Sequence, residues 1–286
     1  MRILIALDQN EYSAHTLGRV ARLAENTWAD ITLLGIFPGK NDSALSSEFT
    51  ATMDRYQKDF LDCFDVAFSP YGPMEENNAF REAAPGIHER SPGPGKGPKE
   101  MVVRIRMGEP SGIILEEAGK IGCDLIVLGC DTRDDCIWNP GGNVPYRVAV
   151  EAGCSVLVMK KDTDTRRILC CLDHDEISQA SLEMISQMST LFTADLDIIG
   201  LTRKNGLKQR VQTKLGMLQS YYLSRRIQPW IELVEFSDLE AFITGEDRWS
   251  LIAMWMGKQS IFRQIFLGSK VEKLISRSES SVLLLR

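Results

Sequence analysis

The chain repeats itself. RILIALDQNEYSAHTL, from Arg2, reads against RILCCLDHDEISQASL, from Arg167. Asp8 aligns with Asp173, Ser13 with Ser178, Asp30 with Asp195 and Gly35 with Gly200, all at one offset of 165 residues and without a gap. Toward the ends of the copies the offset is 126. There Gly142-Asn143 aligns with Gly268-Ser269, and Ser155-Val156-Leu157 with Ser281-Val282-Leu283. Self-similarity over so long a period means a duplicated domain, so any fold assigned to one copy has to suit the other. Most of the shrinkage between the two offsets is explained by Ser69 to Lys99. That stretch holds Pro70, Pro73, Pro85, Pro92, Pro94 and Pro98 with several glycines, and it has no counterpart in the second copy. So much Pro and Gly does not sit inside regular elements, and the stretch reads as a loop or poorly ordered excursion.

Within the first copy, Arg2 to Asp8 reads as a strand ending in a carboxylate. A helix follows, with Gln9 or Asn10 to cap it and Leu17, Val20, Ala21 and Ala24 on one face. Asp30 to Phe37 is a second strand, and Ala44 to about Phe68 carries a helical pattern. Met101 to Arg106 is a third strand, Gly108-Glu109-Pro110 opens a helix to about Ile121, and Asp124 to Leu128 is a strand buried on both faces. Val144 to Ala152 is the last helix and Ser155 to Lys160 the last strand. Charged, aperiodic Lys161 to Arg166 is a linker. The expected fold class is therefore α/β: two tandem doubly wound domains, 1–162 (with the insertion at about 69–99) and 166–286. Each is a five-stranded parallel sheet with helices on both faces. Ligands of such sheets lie beyond the C-terminal strand ends at the switch point, where Asp8 and the loop after Gly129 fall. That loop ends in Gly141-Gly142-Asn143 at a helix start, where backbone N–H groups and the helix dipole together suit an anion.

Composition excludes several classes. A net charge of −6 over 286 residues gives no electrostatic case for nucleic acid or an anionic membrane. No apolar run approaches the roughly 20 residues of a membrane span. The first strand begins at Arg2, which leaves no room for a signal peptide. The seven cysteines are odd in number, contain no CxxC and lie partly in predicted buried strands, so reduced thiols and a cytoplasmic location are expected. Cys130 and Cys136 flank the loop, but their spacing fits no standard dithiol or metal motif, and thiols are the reading for both. Asp173-His174-Asp175 reads as a solvated strand end, with no further histidine to complete a metal or acid–base site. Gly93-Pro94-Gly95-Lys96-Gly97 lacks the strand and the Ser/Thr of a P-loop.

Taken together, the strands ending in Asp (LIALD and ILCCLD), the Gly108-Glu109-Pro110 helix start, DLIVLG, and the Gly-Asn or Gly-Ser before the last helix resemble the universal stress protein family. The resemblance covers the whole chain as two tandem copies, apart from residues 69–99. It implies an adenine-nucleotide site of the pattern Gly, two residues, Gly, nine residues, Gly, Ser or Thr. The ligand would be ATP or AMP, with Mg where it is ATP. Carried over onto this sequence, the implied contacts are Ala6, Asp8, Ile36, Leu128, Gly129, Thr132, Gly142, Asn143 and Val144 in the first half. In the second they are Asp173, Gly257, Gly268 and Ser269. Thr132 and Asn143 depart from the pattern, as does Ser260, and from Gly257 to Gly268 the second loop is two residues short. Thr132 resists the positive φ that a glycine allows, and Asp131, Asp134 and Asp135 would repel phosphate. Lys258, Arg263 and Lys270 would suit it better.

Two functions stay open: a stress-response regulatory protein that binds a small nucleotide without rapid catalysis, and a regulatory scaffold that has lost the nucleotide and works through protein contacts. An enzyme ranks third, with slow ATP hydrolysis at most, since no triad or paired metal ligands are present. The apolar last strands, Val156–Met159 and Val282–Leu285, would invite pairing if exposed. The resemblance makes that strand the dimerisation element, so the two halves are expected to pair through these strands, and a homodimer of tandem chains stays open.

Overall fold

The computed structural model describes residues 1–37, 45–65, 69–72, 79–91, 97–131, 138, 142–161, 164–171, 178–202, 209–246, 248–256 and 269–286. The chain divides into two compact units, Met1–Lys161 and Asp162–Arg286.

In the first unit the elements run β1 (Arg2–Leu7), α1 (Glu11–Asn26), β2 (Asp30–Phe37), α2 (Ser47–Leu61), β3 (Arg81–Ala84), β4 (Ile87–Arg90), β5 (Met101–Met107), α3 (Pro110–Ile121), β6 (Leu125–Cys130), α4 (Val144–Glu151) and β7 (Ser155–Lys160). The strand order is β7-β6-β1-β2-β5-β4-β3, with the first five parallel. β1, β6 and β7 have almost wholly buried side chains, as a sheet covered on both faces requires. α1 presents Leu17, Val20, Ala21 and Ala24 to the core as the periodicity predicts. α3 is bounded by recognisable signals. Glu109 caps it, Pro110 opens it, and Gly122, in the left-handed conformation at φ 60°, ends it.

The Pro/Gly-rich excursion is not simply a loop. Residues 81–90 fold into a hairpin whose turn uses Gly86 at φ 71°, and β4 lies antiparallel on the outer edge of β5. Sequence alternation could not reveal it, because β3 is wholly exposed and β4 half-buried, so neither shows a hydrophobic face. Charge holds it instead. Arg90 bonds Asp54 at 2.7 Å and also Gln57, its guanidinium lies 4.5 Å from the Phe80 ring centre, and Glu89 pairs with Arg104. The base of the excursion is pinned by buried Tyr71, which donates to the Ala29 carbonyl at 2.9 Å, and by Lys99, which donates to that of Ala24 at 2.7 Å.

The second unit runs β8 (Arg167–Cys171), α5 (Gln179–Phe192), β9 (Asp195–Thr202), α6 (Gln209–Leu223), β10 (Pro229–Glu235), α7 (Leu239–Thr244), β11 (Ser250–Trp255), α8 (Ser269–Arg277) and β12 (Ser281–Leu285). Its order, β12-β11-β8-β9-β10, is all parallel and is that of the first unit without the hairpin. The duplication holds to single-residue register. Arg2 pairs with Asp30 as Arg167 does with Asp195, and Leu125 pairs with Ser155 as Leu251 does with Ser281. Among the described residues no helix is long and apolar enough to cross a membrane.

Candidate functional site

The strand-end carboxylate is fully engaged by its own loop. Asp8 Oδ1 accepts from the Asn10 backbone N–H at 3.0 Å and from Ser13 Oγ at 2.8 Å. Its Oδ2 accepts from Asn10 Nδ2 at 2.7 Å and from the Tyr12 hydroxyl. Tyr56 reaches the same turn, donating to the Asn10 carbonyl at 3.2 Å. Burial, with the Asp8 charge second, drives the Tyr12 hydroxyl far above the usual phenol range and pushes Tyr56 up to about 12. Both phenols therefore remain protonated donors, and Asp8 holds the start of α1 to the end of β1.

Gly129 is a steric requirement. A Cβ there would lie 2.5 Å from the Tyr12 carbonyl oxygen and 2.7 Å from Thr16 Oγ1. The first turn of α1 rests directly on the end of β6, and only glycine permits that approach. Trp138 closes the crevice between the two strand ends. It is buried, its ring stacks on Tyr12 with centroids 6.1 Å apart, and its indole N–H donates to the Gly129 carbonyl at 3.1 Å. Its backbone N–H bonds the Gly142 carbonyl at 2.9 Å. Neither Trp138 nor Tyr12 stood out from the sequence pattern. The available signal was a large aromatic residue inside an otherwise polar, glycine-bearing loop.

The helix start expected to cradle an anion has little left to offer one. At α4 the Val144 N–H bonds the Gly142 carbonyl at 2.9 Å, and Pro145 has no N–H. Tyr146 N–H is taken by the Asn143 side chain at 3.3 Å, and Arg147 N–H by the Asn143 carbonyl at 3.2 Å. These first-turn donors are satisfied internally. Gly142, at φ 69°, makes the turn into the helix. Of the other implied contacts, Ala6, Leu128 and Val144 are completely buried core residues and Ile36 nearly so. Thr132, Asp173, Gly257 and Gly268 lie outside the described residues, as does the side chain of Ser269.

The strand register corrects one alignment. Gly129 pairs with Met159, and at the equivalent place Trp255 pairs with Leu285. The residue corresponding to Gly129 is therefore Trp255, not Gly257, and the second loop is as long as the first. Gly257 misled because it lies two residues beyond the true position. A second correction concerns sulfur. Cys130, at the end of β6, is disulfide-bonded, and the buried Lys160 ammonium donates to its Sγ at 3.3 Å. Cys63, Cys123, Cys154, Cys170 and Cys171 are thiols, and Cys136 lies outside the described residues. Sequence spacing does not decide such pairing; separation in space does. No group of three or more His, Cys, Asp or Glu side chains gathers to hold a metal among the described residues.

The model of the universal stress protein family matches residues 1–160. The chain belongs to the universal stress protein family. A universal stress protein from Archaeoglobus fulgidus DSM 4304 shares the fold at a TM-score of 0.60 and 15% identity, over 100% of this chain and 96% of that one. A putative universal stress protein from Pseudomonas aeruginosa UCBPP-PA14 does so at 0.57 and 15%, over 99% and 92%. The cytoplasmic domain of a prokaryotic cation chloride cotransporter matches at 0.50 and 11%, over 99% and 94%. At these identities the likeness is one of fold. No curated protein matches the chain. The family match ends with the first unit, but the second unit of this stress protein repeats its strand order and register.

Proposed function

We infer that the chain is a non-catalytic stress-response regulatory protein of the cytoplasm. In this reading its first-unit crevice is filled from within, and it acts through protein contacts rather than through a resident nucleotide. The observation that carries this is Trp138, stacked on Tyr12 and bonded to Gly129 at the place where ligands of such sheets lie. The engaged Asp8 carboxylate and the satisfied first turn of α4 point the same way. A buried polar group already paired offers a ligand no net hydrogen bond, since any new bond replaces an existing one.

A second reading keeps the nucleotide. Tyr12 supports one planar aromatic ring, so the base of ATP or AMP could stack there if Trp138 swung out. Isothermal titration of the intact chain with ATP, ADP and AMP at millimolar concentration, with and without Mg, separates the two. Silence supports the filled crevice. Saturable binding near one per chain by the unaltered protein overturns it. Silence in the parent together with binding by Trp138→Ala would show that the indole is what excludes the base.

A further inference from the structure

At the opposite end of β6 from the crevice, two thiols meet. Cys123 precedes the strand and Cys154 precedes β7, and the pairing of Leu125 with Ser155 brings the two turns side by side. The two thiols interact, Cys154 being the leading influence on Cys123. Cys123 is buried, and its sulfur also contacts the carbonyl oxygens of Leu125 at 3.1 Å and Arg2 at 3.6 Å, which fixes its direction. Cys154 is half-buried beside exposed Gly153. That register places Cys154 one residue along from the position opposite Cys123, a diagonal of about 6 Å between Cα atoms, within the span that a disulfide bridges without large backbone movement.

We propose that Cys123 and Cys154 form a hydroperoxide-oxidisable dithiol, a reversible redox site at the base of the first unit. Cys154, the less buried of the two residues, attacks the peroxide O–O bond. It becomes a sulfenic acid while the peroxide leaves as an alcohol, or as water from hydrogen peroxide. The Cys123 sulfur then attacks the Cys154 sulfur, the S–S bond forms, and the hydroxyl departs as water with the thiol proton. The two electrons given up by the dithiol reduce the peroxide, and a dithiol reductant reverses the change. The Cys154 neighbour, and burial after it, keep the Cys123 thiol protonated at neutral pH. That assigns it the resolving rather than the attacking role. The oxidised bond would close the segment that contains β6, the loop holding Trp138, and α4. This inference does not depend on whether the crevice binds a nucleotide.

Cys63 supplies an internal control. It is exposed, but burial of its sulfur and the charges of Asp59 and Asp62 raise its pKa. The test treats the intact chain with one equivalent of hydrogen peroxide, blocks remaining thiols under denaturing conditions, and maps the peptides by mass spectrometry. The expected result is a Cys123–Cys154 cross-link in most molecules, with Cys63 blocked as a thiol and the link lost after dithiothreitol. Oxidation at Cys63 with Cys123 and Cys154 both blocked as thiols would overturn the proposal. So would a sulfenic acid at Cys154 that persists without a cross-link. In Cys123→Ser the sulfenic acid at Cys154 should accumulate and be trapped by dimedone. If Cys154 remains unoxidised there, the assigned order of attack is wrong.

Discussion

The two copies differ where they should be alike, at the end of the strand that leads into the loop. In the first unit Gly129 lets the start of α1 settle onto β6. In the second, Trp255 stands at that register position, and α5 begins at Gln179, the equivalent of Ala14, almost one turn later than α1. A glycine position and an early helix start go together, as do an indole and a late one. The units also balance charge in opposite senses. In the first, almost wholly buried Glu117 is shared by Arg104 and Arg106. In the second, Arg167 is shared by Asp197, Glu232 and Glu246.

The largest effect should come from emptying the second unit's position. Trp255→Ala removes a buried indole and should cost about 3–5 kcal/mol, measured by denaturant unfolding with the first unit's transition as reference. A cost under about 1 kcal/mol would mean that Trp255 is not what fills the space glycine leaves in the first unit. Glu117→Gln leaves two arginines facing a neutral group and should cost about 2–4 kcal/mol. Arg167→Gln should cost nearer 1 kcal/mol, since its side chain is 37% exposed and solvent screens the pairs. If the two came out equal, the contrast between buried acid and half-exposed base would fail.

Next in size, Gly129→Ala should destabilise the first unit by about 1–3 kcal/mol through its clash with Tyr12 and Thr16. It should also raise Trp138 solvent exposure, read by fluorescence quenching. The smallest change concerns capping. Glu109 accepts from the N–H groups of Ser111 and Gly112, whereas Asp238 makes no side-chain cap on α7. Glu109→Ala should cost about 1 kcal/mol and Asp238→Ala almost nothing. Burial opposes ionisation of Glu109, but bonds from Ser111 and Gly112 and the Arg147 charge outweigh it, so its folded pKa lies below the ordinary 4.5. Its contribution is then full above pH 4.5 and fades as pH falls through the depressed folded value. A pH titration of stability should show the difference between parent and Glu109→Ala vanish in acid.

The repeat and the parallel strands were legible because buried strands are written in apolar runs, and both copies kept them. The hairpin was not, because its contacts are ion pairs from Arg90 and Glu89 to residues far away in sequence, and no period marks those. Asp8 stood out at its strand end, but its saturation by Asn10, Tyr12 and Ser13 depends on rotamers that a sequence does not show. Trp138 was passed over for a similar reason: its importance comes from stacking on a residue of another element. Gly257 shows the opposite failure, a motif residue that matched by type and missed by two positions.

The hairpin also bears on the order in which the first unit can be built. β5 meets β4 across a short separation, Arg90 with Val103, whereas its other neighbour β2 lies far back in the chain, Ile31 with Met101. Closing the short loop costs less entropy and takes less time. As the chain leaves the ribosome, β5 can therefore be sheltered on its outer side before its inner side finds the sheet. The strand left at the rim, β3, is four residues long and begins Arg81-Glu82, too short and too charged to recruit a passing neighbour.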